Sequence, residues 1–421
     1  MQLFVKGVID SIKATFRRWR RVGSEIVSPT SLSGWGYEVA MSGDGTVIAV
    51  TFFERNNAAL DYLRVYKTNA DGSISQLGQT LQTDTAYNSD FGRASALNFD
   101  GSRIAISSPK FNSNTSQTGR IAIYDLVDGQ WVLNATFLGI NGTANNTHGI
   151  SFNNSGSRVA FLVAKNNGFF PSLDSFQVFD FNGTSWNQVG QTYSTPFFSK
   201  SLQSSILNES GNLLALDRRI LELQNNQWVI LKEFPQEGGN NNATPCLTTI
   251  NAVGDKAAIL YWFGQGGSES IGYFFQRTYH KIGNDWILKN EGALDSYYGY
   301  FQQSGGNPPI SFFVPGEGFH RLSSDGNRMM VCQNYVDPNQ VVPVGSRSLV
   351  TIRVYINDWV NDTWVRQTQS FFSKNGEITF HGAADMSKDG KTFVIGKFLD
   401  PTINLPFSKY GIVEVYRKEL D

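Results

Sequence analysis

Four histidines, two cysteines and a few placed carboxylates are the residues that could do chemistry in this chain of 421 residues. The histidines are His148, His280, His320 and His381. His148 and His381 each stand before a glycine that opens a short apolar run. Two histidines with no carboxylates at ligand spacing fall short of a metal site, which needs a third and fourth ligand. No metal and no cofactor are expected. Cys246 and Cys332 lie in or beside apolar runs far apart in the chain, which reads as two buried free thiols, not a disulfide framework. No Ser-His-Asp or Cys-His grouping is suggested locally, and no catalytic residue is assigned. Glu38 and Asp385 flank apolar runs; paired, they would suit glycoside hydrolysis, and unpaired they would be solvated lining. Asp44, Asp100, Asp325 and Asp389 look like a set. Each stands beside a turn glycine, and one acid per turn suits hairpin formation better than calcium binding.

A second class of candidates is aromatic. Residues 295–318 carry Tyr297, Tyr298, Tyr300, Phe301, Phe312 and Phe313. Phe169, Phe170 and Tyr335 occupy comparable stretches, as do Phe197 and Phe198. Aromatic rings on a loop bury large area with few rotors and make good binding anchors, unless they pack over the rim of their own fold. Asn-x-Ser/Thr acceptors occur at Asn114, Asn134, Asn141, Asn145, Asn153, Asn182, Asn208, Asn242 and Asn361. They matter only in a glycosylating compartment, where the chain would be a glycoprotein.

What positions these residues is a short cycle of turn, apolar strand, loop, apolar strand, turn, Trp, clearest over residues 98–136. Its first-turn glycines are Gly45, Gly101, Gly156, Gly211, Gly254, Gly326 and Gly390. Recurrence roughly every 50 residues marks stacked units, none able to bury its apolar faces alone. Each glycine precedes a run such as Val47-Ile48-Ala49-Val50 or Phe393-Val394-Ile395, which reads as a strand buried on both faces. A third strand alternates, as in Ile121-Ala122-Ile123-Tyr124. A fourth opens with Trp131, Trp186, Trp228, Trp286 or Trp364, and with Ile74 in the first unit. With one strand before each glycine, the sequence predicts an all-β, seven-bladed β-propeller.

The seventh unit ends three residues before the C-terminus without its fourth strand. Trp19-Arg20-Arg21-Val22-Gly23 matches Trp186-Asn187-Gln188-Val189-Gly190, and Ile74 to Gly78 has the same spacing. Residues 19–27 are therefore expected to complete the last blade beside 411–418, which leaves no bare edge. Turns between strands one and two, and three and four, then lie on one plain face. Longer connections leave from the other, and loops on a rigid scaffold carry function.

Residues 1–18 would emerge from the plain face. Leu3, Phe4, Val5, Val8, Ile9, Ile12 and Phe16 recur at helical spacing, with Lys6, Lys13, Arg17 and Arg18 between them. Six of the first 21 residues are Lys or Arg and one is Asp, a balance of +5 in a chain totalling −1. The segment reads as a basic amphipathic helix, packed on its own propeller or anchoring it to a partner or an anionic surface. Asp10 and the want of a small-residue cleavage site argue against a signal peptide. No run approaches the ~18 apolar residues that would cross a bilayer.

The unit GYEVAMSGDGTVIAV…LRVYKT…ISQLGQT resembles a propeller repeat of bacterial surface proteins and large DNA viruses, with the FG-GAP and WD40-like groups nearest in form. It lacks the Gly-His and Trp-Asp pairs of WD40 repeats and the acid-rich loops of integrin-type FG-GAP repeats. The resemblance implies a fold and no activity. The expected function is a non-enzymatic structural or binding propeller of a virion or cell surface. It would attach to a larger assembly, such as a virus particle, by the N-terminal helix. Its loop-rich face would meet a partner protein or glycan; no nucleic-acid partner is expected. The alternatives are a carbohydrate-active enzyme with channel carboxylates and a cytoplasmic protein-interaction scaffold.

Overall fold

The computed structural model describes residues 19–28, 35–52, 61–82, 90–109, 112–113, 116–117, 119–138, 149–165, 173–195, 206–235, 243–264, 269–270, 272–293, 301–302, 319–336, 350–367, 383–397 and 411–419. Among these residues, seven antiparallel sheets, five of four strands and two of five, form the blades, and the protein is an all-β seven-bladed propeller. Blade 1 runs Trp35–Met41, Val47–Phe52, Tyr62–Thr68 and Ile74–Gln76 from the inside outwards. Blade 2 is Ser95–Leu97, Arg103–Ser108, Arg120–Val127 and Gln130–Leu138. Blade 3 is Ile150–Phe152, Arg158–Lys165, Leu173–Phe181 and Trp186–Gln188. Blade 4 is Ile206–Leu207, Leu213–Leu216, Arg219–Gln224 and Gln227–Glu233. Blade 5 is Ala243–Ile250, Lys256–Gly264, Gly272–Ile282 and Asp285–Ala293. Blade 6 is Phe319–Leu322, Arg328–Val336, Val350–Val360 and Thr363–Arg366. Blade 7 has Ala384–Met386, Thr392–Lys397 and Ile412–Lys418, and the strand paired outside them is Trp19–Val27.

The second strand of each blade is the most buried because it is covered by blades on both sides. Every residue of Val47–Phe52 and of Thr392–Lys397 is buried. Each apolar core lies between two neighbouring blades. Val394, Val413 and Val415 pack with Trp35, Val39 and Ile48, joining blade 7 to blade 1. Ala160, Val178, Leu214 and Leu221 join blade 3 to blade 4. A blade alone would leave both faces wet, so burial arises only when the units stack.

The first strand has the contacts of an outer strand. Trp19 lies opposite Lys418, and Val22 opposite Val415. The Trp19 ring packs on Phe393 at 4.8 Å, beneath the Arg328 guanidinium of blade 6 at 5.8 Å. Arg103 stands in the same relation to Trp186, 5.2 Å from its ring. Outer strands also meet each other around the ring. The indole nitrogen of Trp131 donates to Leu77 O at 2.9 Å, and that of Trp228 to Val189 O at 3.0 Å. Gly78 and Gly190 sit against these rings with φ of +73° and +70°, and a Cβ on either would lie 2.6 Å from the indole Cδ1. Gly23 sits against Ile74, the residue standing where other blades carry Trp.

The turns divide into two chemistries. Several third-to-fourth strand turns place two residues at positive φ, such as Asp128-Gly129, Asn225-Asn226 and Asn361-Asp362. That is the type I′ hairpin geometry. The first-to-second strand turns are longer, with positive φ at the glycine and not at the preceding Asp. Two of the connections expected to be irregular carry short pairings. Asn112–Ser113 pairs with Ser116–Gln117, and Glu269–Ser270 with Phe301–Gln302. Blade 4 departs from the pattern: its second and third strands are joined by Asp217 and Arg218 alone.

The N-terminal helix expected over residues 1–18 lies outside the described residues. Among the described residues no helix is long and apolar enough to cross a membrane.

Candidate functional site

The described residues are richest around the central channel, where seven equivalent turns meet. Ser42, Asn98, Asn153, Asn208, Asn251, Ser323 and Ser387 occupy one position in those turns. The side-chain oxygen of each accepts the backbone N–H five residues on. Ser42 Oγ takes Val47 N at 2.9 Å, and Asn208 Oδ1 takes Leu213 N at 2.9 Å. The same residue's carbonyl accepts the glycine N–H, as in Gly45 to Ser42 at 2.9 Å and Gly390 to Ser387 at 2.9 Å. The acids expected to be turn formers are that. Asp44, Asp100, Asp325 and Asp389 each accept the N–H two residues on, at 2.9, 3.0, 2.9 and 2.9 Å. They act by side-chain acceptance, the Asx pattern, with no need for positive φ. Bonds from Ser102 and Asn98 lower Asp100 despite the opposing effect of its partial burial.

The turns are laced together across blades. Asp44 N donates to Phe99 O (2.9 Å), Phe99 N to Asn154 O (3.1 Å), and Asn154 N to Glu209 O (3.0 Å). Ala252 N donates to Ser324 O (3.0 Å), Ser324 N to Lys388 O (2.6 Å), and Lys388 N to Gly43 O (2.7 Å). Among the described residues only the step from blade 4 to blade 5 lacks such a bond. There the Ser324 hydroxyl of blade 6 donates instead to the Glu209 carboxylate of blade 4.

A second set of struts begins one strand out. Arg158 makes a bidentate pair with Asp180 in its own blade, and its third nitrogen donates to Gly211 O of blade 4 at 2.7 Å. Arg103 does the same with Asp125 and Gly156 O, and Arg328 with Asp358 and Gly390 O. Lys256 reaches Asp325 O at 2.9 Å in the equivalent place. These basic residues escaped the sequence reading. Their signal was a charged residue opening an otherwise apolar second strand, with an acid 22 to 30 residues on.

Inside the channel the carboxylates are engaged by the scaffold. Asp385 is 4% exposed. Its oxygens accept Met41 N of blade 1 at 2.8 Å and Met386 N at 2.7 Å, and Arg321 of blade 6 lies 3.0 Å away. It ties three blades. Lys388 follows on the same blade, half-buried. Burial holds its ammonium below the ordinary lysine value, helped by nearby Arg321, while Glu209 and Asp385 oppose that shift. His320 is buried, with Nε2 donating to Ala258 O at 2.9 Å. Burial pushes it down to about 4, so it is a neutral core histidine. Cys332 is buried and free, and burial pushes its thiol up. Among the described residues no group of His, Cys, Asp and Glu could hold a metal.

The aromatic candidates fall elsewhere. Tyr297, Tyr298, Tyr300, Phe312, Phe313, Phe169 and Phe170 lie outside the described residues, as do Phe197, Phe198, His148 and His381. So do Phe4, Val8, Ile12, Phe16, Arg17 and Arg18 of the anchor. Phe301 lies in the short pairing with Ser270, and Tyr335 in the second strand of blade 6. Of the sequon asparagines, Asn153 and Asn208 are buried turn caps, 8% and 4% exposed.

No protein-family profile matches the chain, and no curated protein does. Among solved structures it is similar to U3-55K, at 10% identity over 95% of this chain and 98% of that one, with a TM-score of 0.47. Sqt1 of Saccharomyces cerevisiae shares 10% identity over 95% and 99% of the two chains, with a TM-score of 0.46. The β-propeller domain of the Trilobed protease from Pyrococcus furiosus shares 9% over 93% and 98%, with a TM-score of 0.36. These likenesses carry nothing about ligand or activity.

Proposed function

We propose that this chain is a non-enzymatic binding and structural propeller, a component of a virion or cell surface. Its first strand is the clasp of the ring. Its N-terminal segment attaches the plain face to a larger assembly, and its loop-bearing face meets a partner protein or glycan. One observation carries the reading: the channel-side acid best placed for catalysis, Asp385, is bonded to the backbone of two blades and to the arginine of a third. A site so engaged serves rigidity. The largest variation in the repeat falls in connections leaving the opposite end, from the two-residue link of blade 4 to residues 294–318.

The direction of Trp19–Val27 supports the anchor. Trp19 lies opposite Lys418, so the described chain begins at the end that carries the short turns. Deleting residues 2–18 is expected to abolish co-sedimentation with the parent particle or envelope while leaving the unfolding midpoint within about 2 °C of the intact chain. Retained co-sedimentation would defeat the anchor.

A further inference from the structure

We propose that Arg219 is the moving part of a proton-controlled switch in blade 4: it holds Glu233 while Asp217 keeps its proton, and turns to Asp217 when that proton leaves to solvent. The three residues meet at the two-residue link, where Asp217 and Arg218 alone join the second and third strands. Asp217 takes a φ of +55° there. Arg219 opens the third strand directly opposite Glu233, in the last rung of the outer strand pair.

Two arginines and two carboxylates share this corner, and the sharing is uneven. Arg219 donates to Glu233 Oε1 from Nη2 at 3.0 Å and from Nε at 3.2 Å, and Arg218 Nη2 lies 2.5 Å from a Glu233 carboxylate oxygen, again Oε1. Asp217 Oδ2 is buried and accepts no hydrogen bond, while Arg219 Nη1 stands 4.0 Å from it. Asp217 is 3% exposed and Arg219 7%, so neither charge can be left to water. Blade 5 brings neutral groups to the corner. The Thr248 hydroxyl donates to Asp217 O, and the Tyr261 phenol to Pro235 O at 3.1 Å.

A protonated Asp217 leaves both arginines to Glu233. An ionised Asp217 is a buried charge with its nearest guanidinium nitrogen about 1 Å beyond hydrogen-bond distance. Turning Arg219 onto it gives each carboxylate one arginine, because Arg218 stays on Glu233. Burial pushes the Asp217 carboxyl up to about 6 against the pull of Arg219 and Arg218, with Glu233 reinforcing the rise, so the exchange falls near neutral pH. What it releases is the end of the outer strand, since the side-chain clamp across the last rung is gone. The next residue, Phe234, packs on Tyr279 and Trp286 of blade 5 at 4.6 and 5.7 Å, and its carbonyl takes Arg218 Nη1 at 2.9 Å. The seam between blades 4 and 5 therefore loosens, at the loop-bearing end, as pH rises.

Hydrogen exchange of the full chain at pH 5 and pH 7.5, read by mass spectrometry, tests the switch. After correction for the base-catalysed rise in intrinsic rate, the amides of residues 230–234 are expected to exchange roughly threefold faster at pH 7.5. The blade 2 strand Gln130–Leu138, which carries no charged residue, should exchange alike at both. Asp217→Asn, which cannot ionise, is expected to hold the same protection at both pH values. In the parent the Arg219 Nε–H resonance is expected to move with a midpoint near pH 6. Equal parental exchange at the two pH values would overturn the proposal, as would an unchanged pH dependence in Asp217→Asn. Should Asp217→Asn fail to fold, the parent decides: exchange and resonance must shift together, and either one without the other rules the switch out.

Discussion

At the residue scale, one capping residue does most of the organising. A Ser or Asn at the entry to each inner turn accepts a backbone N–H five residues on and so fixes where the buried second strand begins. The glycine three places later was legible because its identity never changes. The cap was harder to see because Ser and Asn alternate, equivalent as acceptors but different as letters. Asp385 stood out as a candidate carboxylate, but its ties to neighbouring blades could not be read, since Arg321 lies on blade 6 and Met41 is 344 positions away. Two buried titratable groups give this scale its prediction. Burial pushes Asp217 up to about 6, with Arg219 opposing. The folded state then holds the proton more tightly than the unfolded chain. The full cost of ionisation applies above pH 6 and is relieved as pH falls from 6 towards 4. His320 has the opposite sign: its folded value of about 4 lies below the ordinary 6.5, so stability is lost as pH falls from 6.5 towards 4. Asp217→Asn is expected to gain about 2 kcal/mol over the parent above pH 7, with the gain vanishing near pH 4. Urea unfolding at pH 4, 5.5 and 7.5 checks this; a gain independent of pH would refute it.

At the element scale, the outer strands explain how seven exposed edges coexist. Each could pair with another molecule, and most are interrupted a few residues in. Register shifts fall between Ile123 and Tyr124 opposite the blade 2 strand, and at the same place opposite the blade 4 and blade 5 strands. In blades 1 and 3 the outer strand stops at Gln76 and at Gln188, and a separate short strand resumes farther along. The Trp-x-x-x-Gly spacing read from sequence marks this break, where the glycine receives the next blade's ring. Gly190→Ala is expected to cost roughly 2 kcal/mol or more, from positive φ and the clash with Trp228 together. Gly183→Ala, also at positive φ but with open space around it, should cost only about 1 kcal/mol. Equal losses in denaturant titrations would show that the ring contact is not what the glycine serves. The Arg–Asp struts were missed because the loop between the partners varies, so no fixed spacing announces them.

At the scale of the whole molecule, the blade count was legible because period and strand pattern agree, and even the shortest interval, from Gly211 to Gly254, corresponds to the two-residue link of blade 4. The candidate ligand loops were not settled by the same logic, since aromatic content in a loop does not say where a ring points. Everything said of the two faces depends on where the chain begins. Arg20 and Arg417 are direct cross-strand partners, both exposed, so each can be replaced without opening the core. The most direct measurement is oxidation of the double variant Arg20→Cys, Arg417→Cys, with the linkage mapped by peptide mass spectrometry. Antiparallel partners lie within disulfide reach. An intramolecular 20–417 disulfide and a raised unfolding midpoint are predicted; free thiols, or cross-links only between molecules, would contradict a ring clasped by its first strand.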